Sequence, residues 1–326
     1  MMILIPDRII DPDIEREVFG PGVEIVTCNA MSAGDIPDNT WRRADGILAW
    51  HEIEYTAEVI GKLRPRGAIV RVGVGYDNID LEAARQRGIT VCNVPDYGVT
   101  DVADHTMALL LALARGLFAY EDHARAGGNS WQAAGILQRL GGPELSKLGI
   151  IGLGRIGTAV AQRARAFDLT PLCHDPYIPD GRARSLGVRR LDELDEMLAQ
   201  SDAITFHAPL TNETRGLANR RFFEHLKTGC LLVNTSRGDV INLDALSDAM
   251  ISGNVRAAGL DVLPAGADSH HLIRAWRDRQ EWIKGRLIIT PHCAFYNADS
   301  YREMRLKAAQ ELKRILNGRE PRNRIA

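Results

Sequence analysis

The chain has no apolar run approaching the ~20 residues that cross a bilayer. Its longest candidate, MALLLALARGLFAY, is interrupted by Arg115 and Gly116. It has no excess of either charge: 40 basic residues against 42 acidic ones leave a net charge of -2. There is thus no electrostatic ground for a nucleic-acid or anionic-membrane partner. It has no close pair of cysteines. Cys28, Cys92, Cys173, Cys230 and Cys293 are scattered, which argues against a zinc site or a disulfide framework and predicts no metal and a reduced, cytoplasmic setting. The opening MMILIPDRIIDPD lacks a basic leader and a long apolar core, so a first strand is expected there and not a signal peptide. No internal repeat and no low-complexity tract occurs. What remains is an ordinary globular composition, 45% hydrophobic and 25% charged. Its 326 residues suit two domains of roughly 150 residues each.

What is present is alternation. MILIP, VEIVTC, GILAW, AIVRVG and TVCNVP read as strands with helices between them, and LGIIGLG, TPLCHD, AITFHA, CLLVNTS, AAGLDV and LIITPH follow in the second part. Near-continuous apolar runs are what parallel strands covered on both faces require. The prediction is an α/β protein with two doubly wound parallel-sheet domains. Asp80 is placed to cap LEAARQR, and Gly88 to end it. A helix is expected from about Asp244 to Ile251. The closing SYREMRLKAAQELKRILNG sets Met304, Ala308, Leu312, Ile315 and Leu316 on one face, with Gly318 at its end. From Thr100, a candidate cap, to about Tyr120, apolar residues cover nearly every face; such a helix is expected to be buried between domains or against another subunit. The glycine-rich RAGGNSWQAAGILQRLGGPELSK reads as an arm or connection.

Gly152, Gly154 and Gly157 form G-x-G-x-x-G in IIGLGRIG. Alone the pattern is weak. Here it follows a strand and opens a helix, as a dinucleotide site needs. The first glycine permits the tight turn, the second lets backbone approach a pyrophosphate, and the third lets helix and strand pack closely. The helix N-terminus then offers N–H groups to the phosphates. Asp175 ends the next strand 18 residues after Gly157, close to the ~20 expected for a ribose-binding acid. A carboxylate there would repel a 2′-phosphate, which selects NAD over NADP even with Arg182 and Arg184 nearby.

Reactive groups in such folds lie beyond the carboxyl ends of the strands. LLVNTSRG carries Arg237 there, AAGLDV carries Asp261, and LIITPH carries His292. An arginine can clamp a carboxylate bidentately and polarise a carbonyl beside it. A histidine can move the hydroxyl proton.

With these residues in place the chain resembles the D-isomer-specific 2-hydroxyacid dehydrogenases, a family that includes phosphoglycerate dehydrogenases, glyoxylate reductases, formate dehydrogenases and the C-terminal-binding-protein co-repressors. The resemblance runs through RVGVGYDNID, VCNVPDYGVTDVADHTMALLLALAR, GIIGLGRIG, FHAPLTNETRGL, NTSRGDVIN, GLDV and TPHCAF, in the family's order. It implies an NAD-binding Rossmann domain, 100–295, inserted into a flavodoxin-like substrate domain, 1–99 plus 296–326, and a homodimer built from an arm around 115–145. It implies Arg237 as the catalytic arginine and His292 as the acid/base. Cofactor contacts fall on Gly152, Gly154, Arg155, Ile156, Gly157, Asp175, His207, Ala208, Pro209, Thr235, Ser236, Arg237 and Asp261. The substrate carboxylate is expected on the backbone N–H groups of Val74 and Gly75, with Tyr76 beside them, and His51 in LAWHEIEY stands where the family can touch substrate. The expected substrate is a small 2-hydroxy or 2-oxo acid.

One departure stands out. The family carries a glutamate five residues after the aspartate of LDV; this chain has Gly266. Asp268 could replace it if the loop were rearranged, and otherwise reads as a solvated loop acid. His270 and His271 are weaker stand-ins, expected to face solvent. The segment 270–286 reads as either a lid or a packed helix. The missing glutamate leaves two alternatives beside a dehydrogenase: a non-enzymatic NAD(H)-responsive scaffold, or a hydride-only oxidation resembling formate dehydrogenase.

Overall fold

The aliphatic runs become strands and the amphipathic stretches between them become helices. In the computed structural model, which describes residues 1–7, 9–131, 142 and 144–326, the chain begins with β1 (Met2–Ile5), α1 (Asp13–Phe19), β2 (Glu24–Thr27), α2 (Asp38–Arg43), β3 (Gly46–Ala49), α3 (Ala57–Lys62), β4 (Ala68–Arg71), α4 (Leu81–Gln86) and β5 (Thr90–Cys92). Then come α5 (Val99–Ala114), α6 (Leu117–Arg125), β6 (Lys147–Ile151), α7 (Arg155–Ala166), β7 (Thr170–His174), α8 (Arg182–Ser185), β8 (Arg189–Arg190), α9 (Leu194–Gln200) and β9 (Ala203–Phe206). The last elements are α10 (Arg220–Glu224), β10 (Cys230–Asn234), α11 (Leu243–Ser252), β11 (Val255–Leu260), α12 (His271–Arg277), β12 (Leu287–Ile289) and α13 (Ala298–Leu316). The chain divides into two units, Met1–Gly98 with Tyr296–Ala326, and Val99–Phe295.

The first unit holds a five-stranded parallel sheet in the order β2-β1-β3-β4-β5, the flavodoxin-like order. Its core is built on Leu4, Ile47, Ile69 and Trp41. Asp80 caps α4 by accepting from the Ala83 N–H at 2.9 Å, and Gly88 takes the left-handed conformation. The face expected of α13 is only partly the buried one. Met304, Ala308 and Leu312 are buried, whereas Ile315 and Leu316 are half-buried. Arg305 is buried instead, donating to Glu15 at 2.6 and 3.0 Å and to Asp13 at 2.8 Å. An ion pair no hydrophobic pattern reveals therefore pins α13 to α1.

The second unit holds a seven-stranded parallel sheet, β12-β11-β10-β9-β6-β7-β8. The strand order reverses between β6 and β9, where doubly wound sheets open their ligand crevice. Side chains alternate between two cores, Ile151 and Leu232 on one face, Ile150 and Leu231 on the other. α5 stops at Ala114. Gly116, at φ +59°, turns the chain by 61° into α6, so the single helix expected to reach Tyr120 is two. Thr100 lies inside α5 and does not cap it. The cover for α5 comes from its own unit, where Leu109, Leu110 and Leu113 pack with α7, β10 and β11. Among the described residues no single helix is long and apolar enough to cross a membrane. α12 is packed: Leu272 and Ile273, with Ile283 beyond it, are buried in the core of this unit. Much of the expected arm, 132–141 and 143, lies outside the described residues.

Candidate active site

The three glycines after β6 are held to three different requirements. Gly152 has φ +90°, and a Cβ there would stand 2.7 Å from the Ala208 nitrogen. A Cβ on Gly157 would collide with the Gly152 carbonyl oxygen. At Gly154, which begins α7, a Cβ would meet nothing within 4 Å. Two glycines are thus dictated by close backbone packing, and the third faces open space. That space lies at the first-turn N–H groups of Arg155, Ile156 and Gly157, which have no carbonyl partner within the helix. A phosphate fits there by charge and by room. Asp175, at the end of β7, accepts from the Leu153 N–H at 2.8 Å and the Tyr177 N–H at 3.0 Å. Each oxygen keeps a lone pair for a ribose hydroxyl. On the other side of the turn, beyond β9, lie His207, Ala208 and Pro209. The His207 ring bonds to Thr205 Oγ1, and its Nδ1 is buried with no partner among the described residues. Burial lowers its pKa to about 3, so the ring is neutral.

The register aligns Asn234, Leu260 and Ile289 across β10, β11 and β12. The residues that follow therefore emerge side by side: Thr235 and Arg237, then Asp261, then Thr290 and His292. Asn234 folds the first turn, accepting from the Ser236 N–H at 2.9 Å and donating to the Arg237 carbonyl at 2.8 Å. Gly238 follows because a Cβ there would strike the backbone of Leu263 and Pro264. Arg237 is half-buried, and its Nη1 donates to the Ser236 carbonyl at 2.9 Å.

His292 is exposed and sits at φ +54°, a conformation few non-glycine residues adopt. Asp261, 1% exposed, holds it there. Its carbonyl accepts from the His292 N–H at 2.7 Å. Its carboxylate accepts from Thr290 Oγ1 at 2.6 Å and from the Cys293 and Ala294 N–H groups at 3.0 Å each. The resemblance implies a cofactor contact for Asp261; here both carboxylate oxygens face the turn that presents His292. The same acid, burial aside, helps raise the Cys293 thiol pKa.

Asp268 is 81% exposed, and its carboxylate is bound by Arg277. Gly266 is left-handed, φ +74°, and opens a short turn over Ala267–Ser269. His270 is not solvent-facing as expected: it caps α12, accepting from the Leu272 N–H at 3.2 Å, and meets Asp244 at 3.0 Å. His271 is half-exposed and bonds Ser247 at 2.9 Å. Among the described residues two groups gather metal-binding atom types within 4.8 Å, His105–Asp261–Cys293 and Asp244–His270–His271. In both, the atoms already engage one another or their neighbours through hydrogen bonds.

In the first unit, Asn78 donates to the carbonyls of Trp50 at 2.9 Å and Ile53 at 2.8 Å, joining the loop of His51 to that of Val74, Gly75 and Tyr76. The Val74 carbonyl is held by Asn93 at 2.6 Å. The N–H groups of Val74, Gly75 and Tyr76 make no hydrogen bond among the described residues. His51 is exposed and lies 3.7 Å from Glu52.

Reading the sequence did not single out His105 and Thr106 of α5. His105 Nε2 lies 3.0 Å from Thr290 Oγ1, and Thr106 Oγ1 lies 2.9 Å from Thr235 Oγ1. The available signal was that Thr106 is polar at a position between Val102 and Leu110 on the apolar side of the helix.

Residues 107–294 match the family model described as D-isomer specific 2-hydroxyacid dehydrogenase, NAD binding domain. The chain is 34% identical over 321 residues to C-terminal-binding protein 1 of Caenorhabditis elegans, covering 96% of this chain and 43% of that protein. It is 36% identical over 277 residues to D-3-phosphoglycerate dehydrogenase of Methanocaldococcus jannaschii, covering 84% of this chain and 50% of that one. The chain thus spans about half the length of these relatives. The crystal structure of D-lactate dehydrogenase from Aquifex aeolicus, complexed with NAD and lactic acid, superposes with a TM-score of 0.85 at 28% identity, over 98% of this chain and 96% of that one. By its fold, its glycine turn and the family match over its second unit, the chain belongs to the D-isomer-specific 2-hydroxyacid dehydrogenases, with NAD as its cofactor.

Proposed function

We propose that the protein interconverts a small D-2-hydroxy acid and its 2-oxo acid. NADH, when bound, supplies the hydride for the carbonyl carbon. The backbone N–H groups of Val74 and Gly75 hold the substrate carboxylate, beside Tyr76 and within reach of His51. Arg237 binds the substrate and polarises its carbonyl, and His292 gives the proton that the carbonyl oxygen takes up. Gly152, Gly154, Arg155, Ile156 and Gly157 cradle the pyrophosphate. Asp175 takes the ribose and disfavours NADP, while His207, Ala208, Pro209, Thr235 and Ser236 line the remainder of the cofactor site. The working form is a cytoplasmic homodimer. The observation that carries this reading is the row of Arg237, Asp261 and His292 along adjacent strand ends, with His292 held in a left-handed turn by Asp261.

The test is NADH consumption across a panel of 2-oxo acids with wild type and Arg237→Ala. Turnover with at least one acid, abolished in the variant while NADH still binds, is expected. A variant keeping half of the wild-type kcat/KM removes Arg237 from the site. Gly266 favours a second reading, an NAD(H)-responsive scaffold: a glutamate at φ +74° would be strained, and the likeness to C-terminal-binding protein 1 agrees with it. A wild type that binds NADH and reduces no 2-oxo acid supports that reading.

A further inference from the structure

We infer that His105 and Thr106, adjacent on α5, are positioning residues that key the two turns presenting His292 and Arg237. The inference rests on the dehydrogenase reading for its kinetic arm only.

The direction of each hydrogen bond follows from counting protons. Thr290 has one hydroxyl proton and gives it to Asp261 Oδ1 at 2.6 Å, since a carboxylate can only accept. Toward His105 the Thr290 oxygen can then only accept, so Nε2 of His105 carries a proton and donates at 3.0 Å. The chain of donors runs from His105 through Thr290 to Asp261. That carboxylate also accepts from the N–H groups of Cys293 and Ala294, the two residues that follow His292. His105 Nε2 also lies 3.6 Å from Asp261 Oδ1, so its positive end faces the buried carboxylate whichever neighbour it serves.

The second key is built the same way. Thr106 donates its hydroxyl proton to the Val102 carbonyl one helical turn back, at 2.7 Å. At 2.9 Å from Thr235 Oγ1 it can then only accept, so the Thr235 hydroxyl is turned toward the helix. Thr235 precedes the Ser236–Arg237 turn directly. Both threonine hydroxyls sit in a region of low accessibility, where a hydrogen bond left unmade is not replaced by one to water. A helix otherwise buried by leucines thus reaches two strand ends with two consecutive polar side chains. Consecutive residues on a helix diverge by ~100°, which lets one address β12 and the next address β10.

Loss of a key should let the turn wander, and displacement of a reacting group by ~1 Å costs up to about a hundredfold in rate. The experiment compares His105→Ala, His105→Gln and His105→Asn with Thr106→Val and Thr106→Ser. Each is assayed for kcat, KM and NADH dissociation constant, and each is studied by NMR after histidine-selective isotope labelling, with the His292 ring signal assigned from a His292 variant. Gln places a donor near the position of Nε2; Asn does not. We expect kcat to fall roughly tenfold or more in His105→Ala, His105→Asn and Thr106→Val, with KM and NADH affinity nearly unchanged. Gln and Ser should restore most of the rate, and the His292 signal should move in the His105 variants that lose rate. Unchanged kcat in Ala, Asn and Val variants overturns the inference, as does an unmoved His292 signal. If His105→Ala fails to fold, the Asn–Gln contrast and the Val–Ser contrast still decide it. If wild type turns over no 2-oxo acid, the dehydrogenase reading fails by itself and the His292 signal alone judges the positioning.

Discussion

Two turns of the candidate site in the second unit are stabilised differently. The glycine turn after β6 is a local object. Gly152 and Gly157 are glycines because backbone atoms stand where a Cβ would go. The turn after β12 is assembled from a distance. His292 holds an unfavourable φ of +54° because Asp261, at the end of the neighbouring strand, accepts from the His292 N–H and from the Cys293 and Ala294 N–H groups that follow it, and because Thr290 links that acid to α5. The first turn is specified by what is absent from its residues. The second is specified by a carboxylate 31 residues away, the separation of Asp261 from His292. The first turn tolerates no added atom at Gly152 or Gly157, while the second tolerates no lost acceptor.

Four substitutions test this contrast, the largest expected effect first. Gly157→Val should be the most damaging, because its new atoms collide with the Gly152 carbonyl rather than with a side chain that can swing away. A loss of about 3 kcal/mol or more is expected in chemical denaturation, together with loss of NADH binding; near-native stability would mean that the turn is softer than its backbone contacts imply. Asp261→Asn comes next. Its amide replaces one acceptor with a donor that faces an N–H or the Thr290 hydroxyl, which should cost about 2–3 kcal/mol and lower turnover further than NADH affinity. Unchanged stability would show that the turn around His292 holds without its acid.

Asp175→Ala tests where the glycine turn borrows from outside itself, since that carboxylate accepts from the Leu153 N–H. Wild type should bind NADH at least tenfold more tightly than NADPH, about 1.4 kcal/mol, and the ratio should narrow in the variant, with any general loosening of the turn cancelling between the two ligands. Comparable dissociation constants in wild type would remove Asp175 from cofactor choice. At neutral pH the smallest effect is expected at His207. Burial depresses its pKa from 6.5 to about 3, so in the fold it stays neutral while the unfolded chain takes a proton below pH 6.5. The unfolded state then binds more protons across this window, and stability falls as pH drops from about 6.5 toward 3, at up to about 1.4 kcal/mol per unit. Comparing thermal melts of wild type and His207→Gln over that range should show a shallower slope in the variant; parallel slopes would mean that the ring is not held neutral.

Much of this was legible beforehand, for reasons that differ from element to element. The strands were readable because parallel strands buried on both faces must be apolar almost throughout. The nucleotide turn was readable because its glycines are close in the chain, two of them fixed by backbone contacts within the turn and beside it. The caps at Asp80 and Gly88 answer to the helix's own unpaired groups. The burial of Arg305 against two acids on α1 was not legible, because charge pairing across 290 residues leaves no periodic trace. The helix at residue 116 was read through a glycine that could have been tolerated, and only its left-handed φ made it a corner.

The sequence by itself determined the two α/β units, the glycine turn with its acid, and the identities of Arg237 and His292 at strand ends, because each depends on residues close in the chain or on the plain need to bury apolar surface. Only the tertiary structure decided that Asp261 shapes the turn of His292, that Asp268 is bound to Arg277 and exposed, and that His105 and Thr106 reach the two strand ends. These depend on which strands lie side by side and on where single protons point, and hydrogen-bond partners brought together by a sheet order of β12-β11-β10 carry no mark of each other along the chain.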